Sequence, residues 1–209
     1  MTSIDTQTVK EVEEWIKKPN NVEIYTKTWS PSGKVIATVT FVHGLGEHIN
    51  RYNHVFPVFA QKGIKVYGFD QRGFGKTVRR YGTIGNSEGL DTVMADIGDA
   101  CKAVKQDGVP HFIFGHSMGG MLALRYAAFN PKDVVGVVLS GPCIRPGKKT
   151  APNIVEVQLL KFLPYIVPSL SMKSTVGKRI ELTLNATTYA NWRQCIIQTR
   201  RISVETLKS

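Results

Sequence analysis

The sequence predicts an α/β fold in which helices cover both faces of a mostly parallel β-sheet. Short apolar runs typical of buried strands alternate with amphipathic helical patterns between residues 34 and 139. A helix that connects two strands returns the chain to the edge where the first strand began, so such strands lie parallel. The chain has 209 residues and a hydrophobic content of 42%, which is enough to bury one sizeable core.

Periodicity and turn residues define each element in order. The first two strands are separated by Pro31-Ser32-Gly33 and are predicted to pair as an antiparallel hairpin. Gly63 is predicted to end the first helix, and Asp91 to cap the start of the second. The predicted elements are strands over 22–29, 34–42, 64–69, 111–114 and 134–139, and helices over 52–61, 92–105 and 118–129.

The chain divides into four regions. Residues 1–20 are a polar segment of mixed charge, and residues 21–150 contain the α/β core. Residues 151–185 no longer alternate strands with helices, although they include an amphipathic stretch. Residues 186–209 form a basic tail that matches no core pattern.

The formal net charge of +11 suggests an anionic partner or serves solubility. Nucleic-acid-binding proteins concentrate Lys and Arg on one face, whereas here they are scattered as single residues and short pairs. From residue 172 onward, seven Lys and Arg residues stand against two Glu residues. We therefore expect no nucleic acid partner, and a membrane or lipid-droplet surface fits the charge better.

No targeting or metal-binding pattern is evident. The N-terminus has no apolar stretch of signal-peptide length, and the apolar run 159–170 is too short to span a bilayer. A cytoplasmic protein with peripheral membrane association is predicted. Cys101, Cys143 and Cys195 form neither a CxxC motif nor a Cys/His cluster, so no metal and no cofactor is expected. The oligomeric state stays open.

The segment Gly115-His116-Ser117-Met118-Gly119 matches the G-x-S-x-G pattern, directly between a predicted strand and a predicted helix. A serine at such a tight turn has a strained backbone and an exposed hydroxyl, and Gly115 and Gly119 allow strand and helix to cross closely. Ser117 is therefore the candidate nucleophile, and the Met118 N–H is a candidate oxyanion donor. The alternative is a serine that only caps the helix.

A second glycine-rich loop, His43-Gly44-Leu45-Gly46, follows the strand over 34–42. Acyl transfer requires two amide donors directed at the developing oxyanion, and the Leu45 N–H is the natural second donor. The flanking Gly44 lets the backbone face a substrate. His43 is interpreted as a structural residue that orients the loop by hydrogen bonding, rather than as a catalytic base.

Four motifs occur in order: HGLGEH…RY from residue 43, FDQRGFGKT from residue 69, SEG from residue 87 and GHSMGG from residue 115. With this order and spacing, the chain resembles the monoacylglycerol lipase and lysophospholipase branch of the α/β-hydrolases over roughly residues 22–184. The resemblance implies hydrolysis of a small lipid ester through an acyl-serine at Ser117, with the Leu45 and Met118 amides as oxyanion donors. It also implies that residues 151–185 begin a cap or lid.

The DQRGFG motif itself has no chemistry that its residues explain. Asp70 and Arg72 are interpreted as a structural ion pair near the Ser117 turn.

The chain departs from the order Ser, acid, His that this fold uses. The five histidines, at positions 43, 48, 54, 111 and 116, all precede Ser117. The carboxylates after Ser117 are Asp133, Glu156, Glu181 and Glu205, and none follows a predicted strand beyond the cap. The catalytic acid and base are therefore expected to be missing, and the fold to be C-terminally incomplete, as in a truncated or alternatively read product.

Two functions remain open. The intact Ser117 turn favours a serine hydrolase of carboxylic esters, whereas the absence of a later histidine favours a catalytically incomplete fragment or a chain that binds lipid or a partner. The stretch 154–170 has a helix-like apolar stripe, which either contacts lipid or packs against the core.

Overall fold

The computed structural model describes residues 8–144, 171–175 and 181–185. The strands are β1 (Val9–Lys17), β2 (Glu23–Pro31), β3 (Ala37–Val42), β4 (Ile64–Phe69), β5 (His111–His116), β6 (Gly136–Ser140), β7 (Ser171–Thr175) and β8 (Glu181–Asn185). The α-helices are α1 (Phe56–Gln61), α2 (Thr77–Arg80), α3 (Leu90–Val104) and α4 (Met118–Phe129), with 3-10 turns at Pro19–Asn21 and Ile49–Tyr52.

Six strands form one open sheet in the spatial order β1-β2-β4-β3-β5-β6. Strands β4, β3, β5 and β6 run parallel, and β1 and β2 are antiparallel to their neighbours. The predicted α/β fold with a mostly parallel sheet is therefore confirmed. Strands β7 and β8 form a separate antiparallel pair within the predicted cap region.

The predicted hairpin between the segments that form β2 and β3 is wrong. Strand β2 pairs with β1 and β4, and β3 pairs with β4 and β5. A local turn signal at residues 31–33 cannot distinguish a tight hairpin from a connection that skips one position in the sheet. The position beside β3 goes to β4, which pairs with it in parallel.

Strand β1 lies in the polar segment 1–20, where the sequence pattern predicts no strand. Its nine residues pair along the whole length of β2, from Val9 opposite Pro31 to Lys17 opposite Glu23. Two of every three β1 side chains are exposed, which is expected for an outer strand. The apolar alternation used to recognise half-buried strands is therefore absent here.

The sheet separates two hydrophobic clusters. On one face, α1 packs Phe56 against Trp29 and Phe41, and all three side chains are fully buried. On the other face, α3 and α4 place Ile97 and Met121 in a second cluster, both also fully buried. Each such side chain contributes about 1.5–3 kcal/mol to the free energy of folding, so helices on both faces stabilise the sheet.

The strand β4 and the helix α4 have the predicted bounds, but other ends differ. The predicted helix 52–61 is shorter in the structure: residue 52 ends a 3-10 turn, residues 53–55 form a turn, and α1 covers 56–61, ending before Gly63 as expected. Helix α3 begins after Gly89, and Asp91 lies in its first turn without capping it. The cap prediction for Asp91 is therefore wrong.

Several predictions fall on residues outside the described part of the chain. These are the apolar stretch 154–170, the basic tail 186–209 and Cys195. Within the described ranges, no helix is both long and apolar enough to cross a membrane. Cys101 is buried next to α4, and burial raises the pKa of its thiol to about 11.

Candidate active site

Ser117 lies at a tight turn between β5 and α4. Its backbone has φ 51° and ψ −116°, a conformation that costs a residue with a side chain about 1–3 kcal/mol. Two hydrogen bonds to residues outside α4 hold it: its N–H donates to the Ser140 carbonyl at 2.9 Å, and its carbonyl accepts from the Cys143 N–H at 2.9 Å. The Ser117 hydroxyl makes no capping bond to α4, so the structure does not favour the helix-cap alternative.

Two glycines allow the strand and the helix to cross at this turn. A Cβ atom on Gly115 would lie 2.2 Å from the Gly119 carbonyl oxygen. A Cβ atom on Gly119 would lie 2.1 Å from the Val42 carbonyl oxygen. Any side chain at either position would overlap the backbone, and the second contact brings the start of α4 onto the end of β3.

The two glycine-containing loops lie at the same edge of the sheet. Strands β3 and β5 are parallel neighbours, and Val42 is opposite Gly115 in their register. Each is followed directly by its loop, so Leu45 and Ser117 lie beyond adjacent strand ends. Within residues 8–144, the Leu45 N–H donates no hydrogen bond. The Met118 N–H opens α4 and has no intrahelical acceptor.

His43 is fully buried beneath the first loop. Its Nδ1 contacts the Gly44 carbonyl at 2.8 Å, and its Nε2 accepts from the Gln71 N–H at 3.0 Å. The Gln71 side-chain amide donates back to the His43 carbonyl at 2.8 Å. These bonds require a neutral ring with the proton on Nδ1. Burial lowers the pKa of His43, which favours the same neutral form.

Glu47 follows the first loop and was not among the predicted site residues. Its Oε2 accepts from the Gly44 N–H at 3.0 Å and from the Tyr52 hydroxyl at 2.7 Å. Its Oε1 pairs with the Arg51 guanidinium at 3.1 Å. The HGLGEH motif contains this residue, and an acidic side chain directly after a glycine-rich turn was the available signal.

The predicted ion pair between Asp70 and Arg72 does not form. Asp70 is buried, and its two oxygens accept from the Ile49 and Lys76 backbone N–H groups at 2.8 and 2.6 Å. The Arg72 guanidinium pairs with Asp96 at 2.7 Å and with Glu88 at 2.8 Å. Arg72 lies in the turn that follows β4, where it meets Asp96 of α3 and Glu88, so the two residues have different partners although only one residue separates them.

No histidine hydrogen-bonds the Ser117 hydroxyl within the described ranges. His116 Nδ1 lies 3.1 Å from the Ser140 hydroxyl, and its Nε2 lies 4.0 Å from Glu47 Oε1. His111 is at the opposite end of β5 and contacts the Thr38 hydroxyl at 2.9 Å. The described part of the site thus contains a strained serine and candidate amide donors, without a base in contact with the serine.

Known hydrolases are similar to this chain. The family model described as "Serine aminopeptidase, S33" matches residues 33–207. An abhydrolase domain-containing protein of Dictyostelium discoideum is 42% identical over 152 residues, which are 72% of this chain and 16% of that protein. A monoacylglycerol lipase of Mycolicibacterium smegmatis is 31% identical over 154 residues, 73% of this chain and 54% of the lipase. The chain thus spans about half or less of the length of these relatives.

Solved structures have the same fold. The crystal structure of a monoacylglycerol lipase from Paleococcus ferrophilus matches with a TM-score of 0.71 and 26% identity, covering 86% of this chain and 72% of that chain. A soluble variant of monoglyceride lipase from Saccharomyces cerevisiae matches with a TM-score of 0.74 at 20% identity. That match covers 92% of this chain and 70% of the lipase, and it supports the fold alone.

Proposed function

Because the chain belongs to the serine aminopeptidase S33 family of α/β-hydrolases, we propose that it hydrolyses carboxylic esters of small lipids through Ser117. The similar monoacylglycerol lipase supports a lipid ester as substrate. The observation that carries the proposal is the strained backbone of Ser117 at the end of a central strand. Such strain persists where the surroundings enforce it, and it is found at functional sites.

The proposed reaction proceeds in two steps. The Ser117 Oγ attacks the ester carbonyl carbon, its proton passes to a base, and the carbonyl oxygen becomes an oxyanion. The N–H groups of Leu45 and Met118 donate hydrogen bonds to this oxyanion, which stabilises the transition state. The C–O bond to the alcohol then breaks, the alcohol leaves with a proton, and water hydrolyses the acyl-serine in the same manner.

The proposal assigns the base to no residue in the described ranges. His43 is neutral and hydrogen-bonded at both ring nitrogens, and His116 contacts Ser140 and Glu47. A serine hydroxyl without a base is a weak nucleophile near neutral pH, although the oxyanion hole and substrate binding together preserve about 10³–10⁴-fold of catalysis over water.

A second candidate function is binding of a lipid or a partner without turnover. The specific observation that favours it is that His43, His111 and His116, within the described ranges, all make hydrogen bonds to groups other than the Ser117 hydroxyl. Both candidates use the same loops, and they differ in whether the acyl-serine forms and is hydrolysed.

A covalent probe and a turnover assay test the proposal together. The 209-residue chain is treated with a fluorophosphonate and analysed by intact mass and peptide mapping, and monoacylglycerol hydrolysis is followed by glycerol release. We expect one adduct on Ser117 and none in Ser117→Ala. Ser32→Ala is the matched control, because Ser32 is exposed and lies near the start of β1.

The outcomes separate the two functions. Labelling that persists in Ser117→Ala would overturn the assignment of Ser117. Glycerol release that depends on Ser117 and is comparable to that of a complete triad enzyme would rule out the binding-only function. A Ser117 adduct with turnover lower by orders of magnitude is the result we expect for this chain.

We also propose peripheral contact with an anionic membrane or lipid-droplet surface, where lipid esters reside. The net charge of +11 supports it. Vesicle flotation with phosphatidylserine and with neutral phosphatidylcholine tests this, and absence of the folded protein from both vesicle fractions would contradict it.

A further inference from the structure

The carboxylate of Glu47 lies between the two loops of the candidate site. It is only 9% exposed, although glutamate side chains are rarely buried without a specific partner. On one side it accepts from the Gly44 N–H in the first loop. On the other side its Oε1 lies 4.0 Å from Nε2 of His116, the residue directly before Ser117. Glu47 therefore contacts the first loop and approaches the second.

The packing around Gly44 shows how close this approach is. A Cβ atom on Gly44 would lie 2.9 Å from Glu47 Oε2 and 3.3 Å from Cδ2 of His116. The carboxylate and the imidazole ring therefore both lie against the Gly44 backbone. Any larger residue at position 44 would displace one of them.

The peptide unit between Gly44 and Leu45 is held through its carbonyl. The Gly44 oxygen accepts from His43 Nδ1 at 2.8 Å and from the Glu47 N–H at 3.3 Å. In a planar trans peptide, the carbonyl and the following N–H point in opposite directions. Fixing the Gly44 carbonyl therefore also fixes the direction of the Leu45 N–H. Within residues 8–144 that N–H donates no hydrogen bond and remains available to a ligand.

We infer that Glu47 is a positioning residue that holds the Leu45 N–H in place relative to Ser117. It acts through the backbone and side-chain bonds that it makes across the turn, and it does not contact the reacting atoms. This inference rests on the ester hydrolysis proposed above, in which Leu45 supplies one of the two oxyanion donors.

The chemistry at this position requires a carboxylate. Three donors converge on it: the Gly44 N–H, the Tyr52 hydroxyl and the Arg51 guanidinium. A carboxylate accepts from all of them, whereas glutamine would direct its NH₂ group at one of these donors. Burial and the bond to Glu47 raise the pKa of Tyr52, so its phenol remains protonated and continues to donate.

The test compares Glu47→Gln with the matched control Glu14→Gln, because Glu14 is an exposed carboxylate on β1. The first readout is hydrogen exchange of the segment 44–47, which does not require reaction at Ser117. We expect exchange about tenfold faster in Glu47→Gln and no change in the control, since disruption of the carboxylate bonds to the Gly44 N–H, Tyr52 and Arg51 increases local opening. Unchanged exchange in Glu47→Gln would overturn the inference.

The second readout is the rate of fluorophosphonate addition to Ser117, with the ³¹P chemical shift of the adduct. We expect about tenfold slower addition and a changed shift in Glu47→Gln, because the phosphonyl oxygen occupies the proposed oxyanion position. Glu47→Asp should restore part of the rate. Equal rates and shifts in wild type and Glu47→Gln would overturn the inference while leaving Ser117 assigned. Labelling elsewhere than Ser117 would overturn the proposed function instead.

Tyr52→Phe provides a second test that preserves the aromatic packing, in case Glu47→Gln does not fold. It removes only the hydroxyl that donates to Glu47. We expect a smaller increase in exchange in the same segment. Exchange identical to wild type in both Tyr52→Phe and a folded Glu47→Gln would contradict the role of Glu47.

Discussion

The central strands β3 and β5 and the outer strand β6 belong to one sheet, yet they differ in how completely the described chain surrounds them. Val39 in β3 is 5% exposed, and Ile113 in β5 is fully buried. In β6, by contrast, Val138 is 46% exposed and Leu139 is 36% exposed. The centre of the sheet is close-packed on both faces, whereas its β6 edge is not.

This difference explains where the candidate site can be built. Ser117 follows the central strand β5. Its neighbour Gly119 packs so closely against the backbone at the end of β3 that no side chain would fit between them. The outer strand contributes mainly backbone, through the Ser140 carbonyl that accepts from the Ser117 N–H. A strained residue requires surroundings that fix it from several sides, and only the centre of the sheet supplies them.

The largest effect on stability is expected from a substitution that disrupts the close contact between the start of α4 and the end of β3. Gly119→Ala would place a Cβ 2.1 Å from the Val42 carbonyl oxygen. Because the new Cβ is fixed to the α4 backbone and the carbonyl oxygen belongs to the β3 backbone, neither can move away alone. We therefore expect a loss of about 3 kcal/mol or more in the free energy of unfolding, measured by urea denaturation.

Gly98→Ala is the matched control for that substitution. It lies in the middle of α3, where the nearest atom to the new Cβ is the Tyr126 hydroxyl at 3.4 Å. Alanine is favoured over glycine in a helix by about 1 kcal/mol, so this variant should be neutral or more stable. Equal effects of the two substitutions would contradict the account of the crossing.

The second prediction concerns pH, through His111 at the buried start of β5. Its ring contacts the hydroxyls of Thr38 and Thr40, with Lys105 and Asp133 nearby. Burial lowers the pKa of His111 to about 4, from 6.5 in an exposed histidine. Between these two pH values the unfolded chain binds more protons at this position than the folded chain does. The contribution of neutral His111 to the free energy of unfolding is therefore complete above pH 6.5 and is lost as the pH falls toward 4.

This loss is at most about 3.5 kcal/mol, since one unit of pKa corresponds to about 1.4 kcal/mol. Burial lowers the pKa of His43 as well, which adds a loss of the same sign. Urea denaturation at several pH values should therefore show a weaker pH dependence in His111→Gln. A pH dependence in His111→Gln equal to that of the wild type would disprove the assignment.

The smallest effect is expected at the β6 edge, and a pair of identical substitutions measures it. Val39→Ala removes two methyl groups from the packed centre and should cost about 2 kcal/mol. Val138→Ala removes the same atoms from a half-exposed site and should change stability by less than about 0.5 kcal/mol. Similar losses in both variants would show that β6 is packed as tightly as β3.

The sequence was most informative where structure depends on nearby residues. The bounds of β4 and α4 were predicted correctly, because an apolar run ends at a turn signal in each case. The family resemblance, based on four motifs, is confirmed by the family match. The strand–turn–helix setting of Ser117 also followed from local pattern, since glycines flank the serine between an apolar strand and an apolar helix.

Pairing and partners depended on distant residues, and here the predictions were incomplete or wrong. The hairpin was misassigned because β4, which follows later in the chain, occupies the position beside β2 and β3. Arg72 pairs with Asp96 rather than Asp70, because α3 brings that carboxylate across 24 residues.

The order of apolar runs, turns and motifs was therefore sufficient to predict the fold class, the position of Ser117 and the second glycine loop. These depend on periodicity and backbone conformation, which a few neighbouring residues specify. The tertiary structure was needed to show that Val42 lies opposite Gly115, that His43 is bonded at both nitrogens, and that Glu47 accepts from the Gly44 N–H and approaches His116. These contacts form only when distant segments pack together, and local sequence does not specify which buried donors will meet which acceptors.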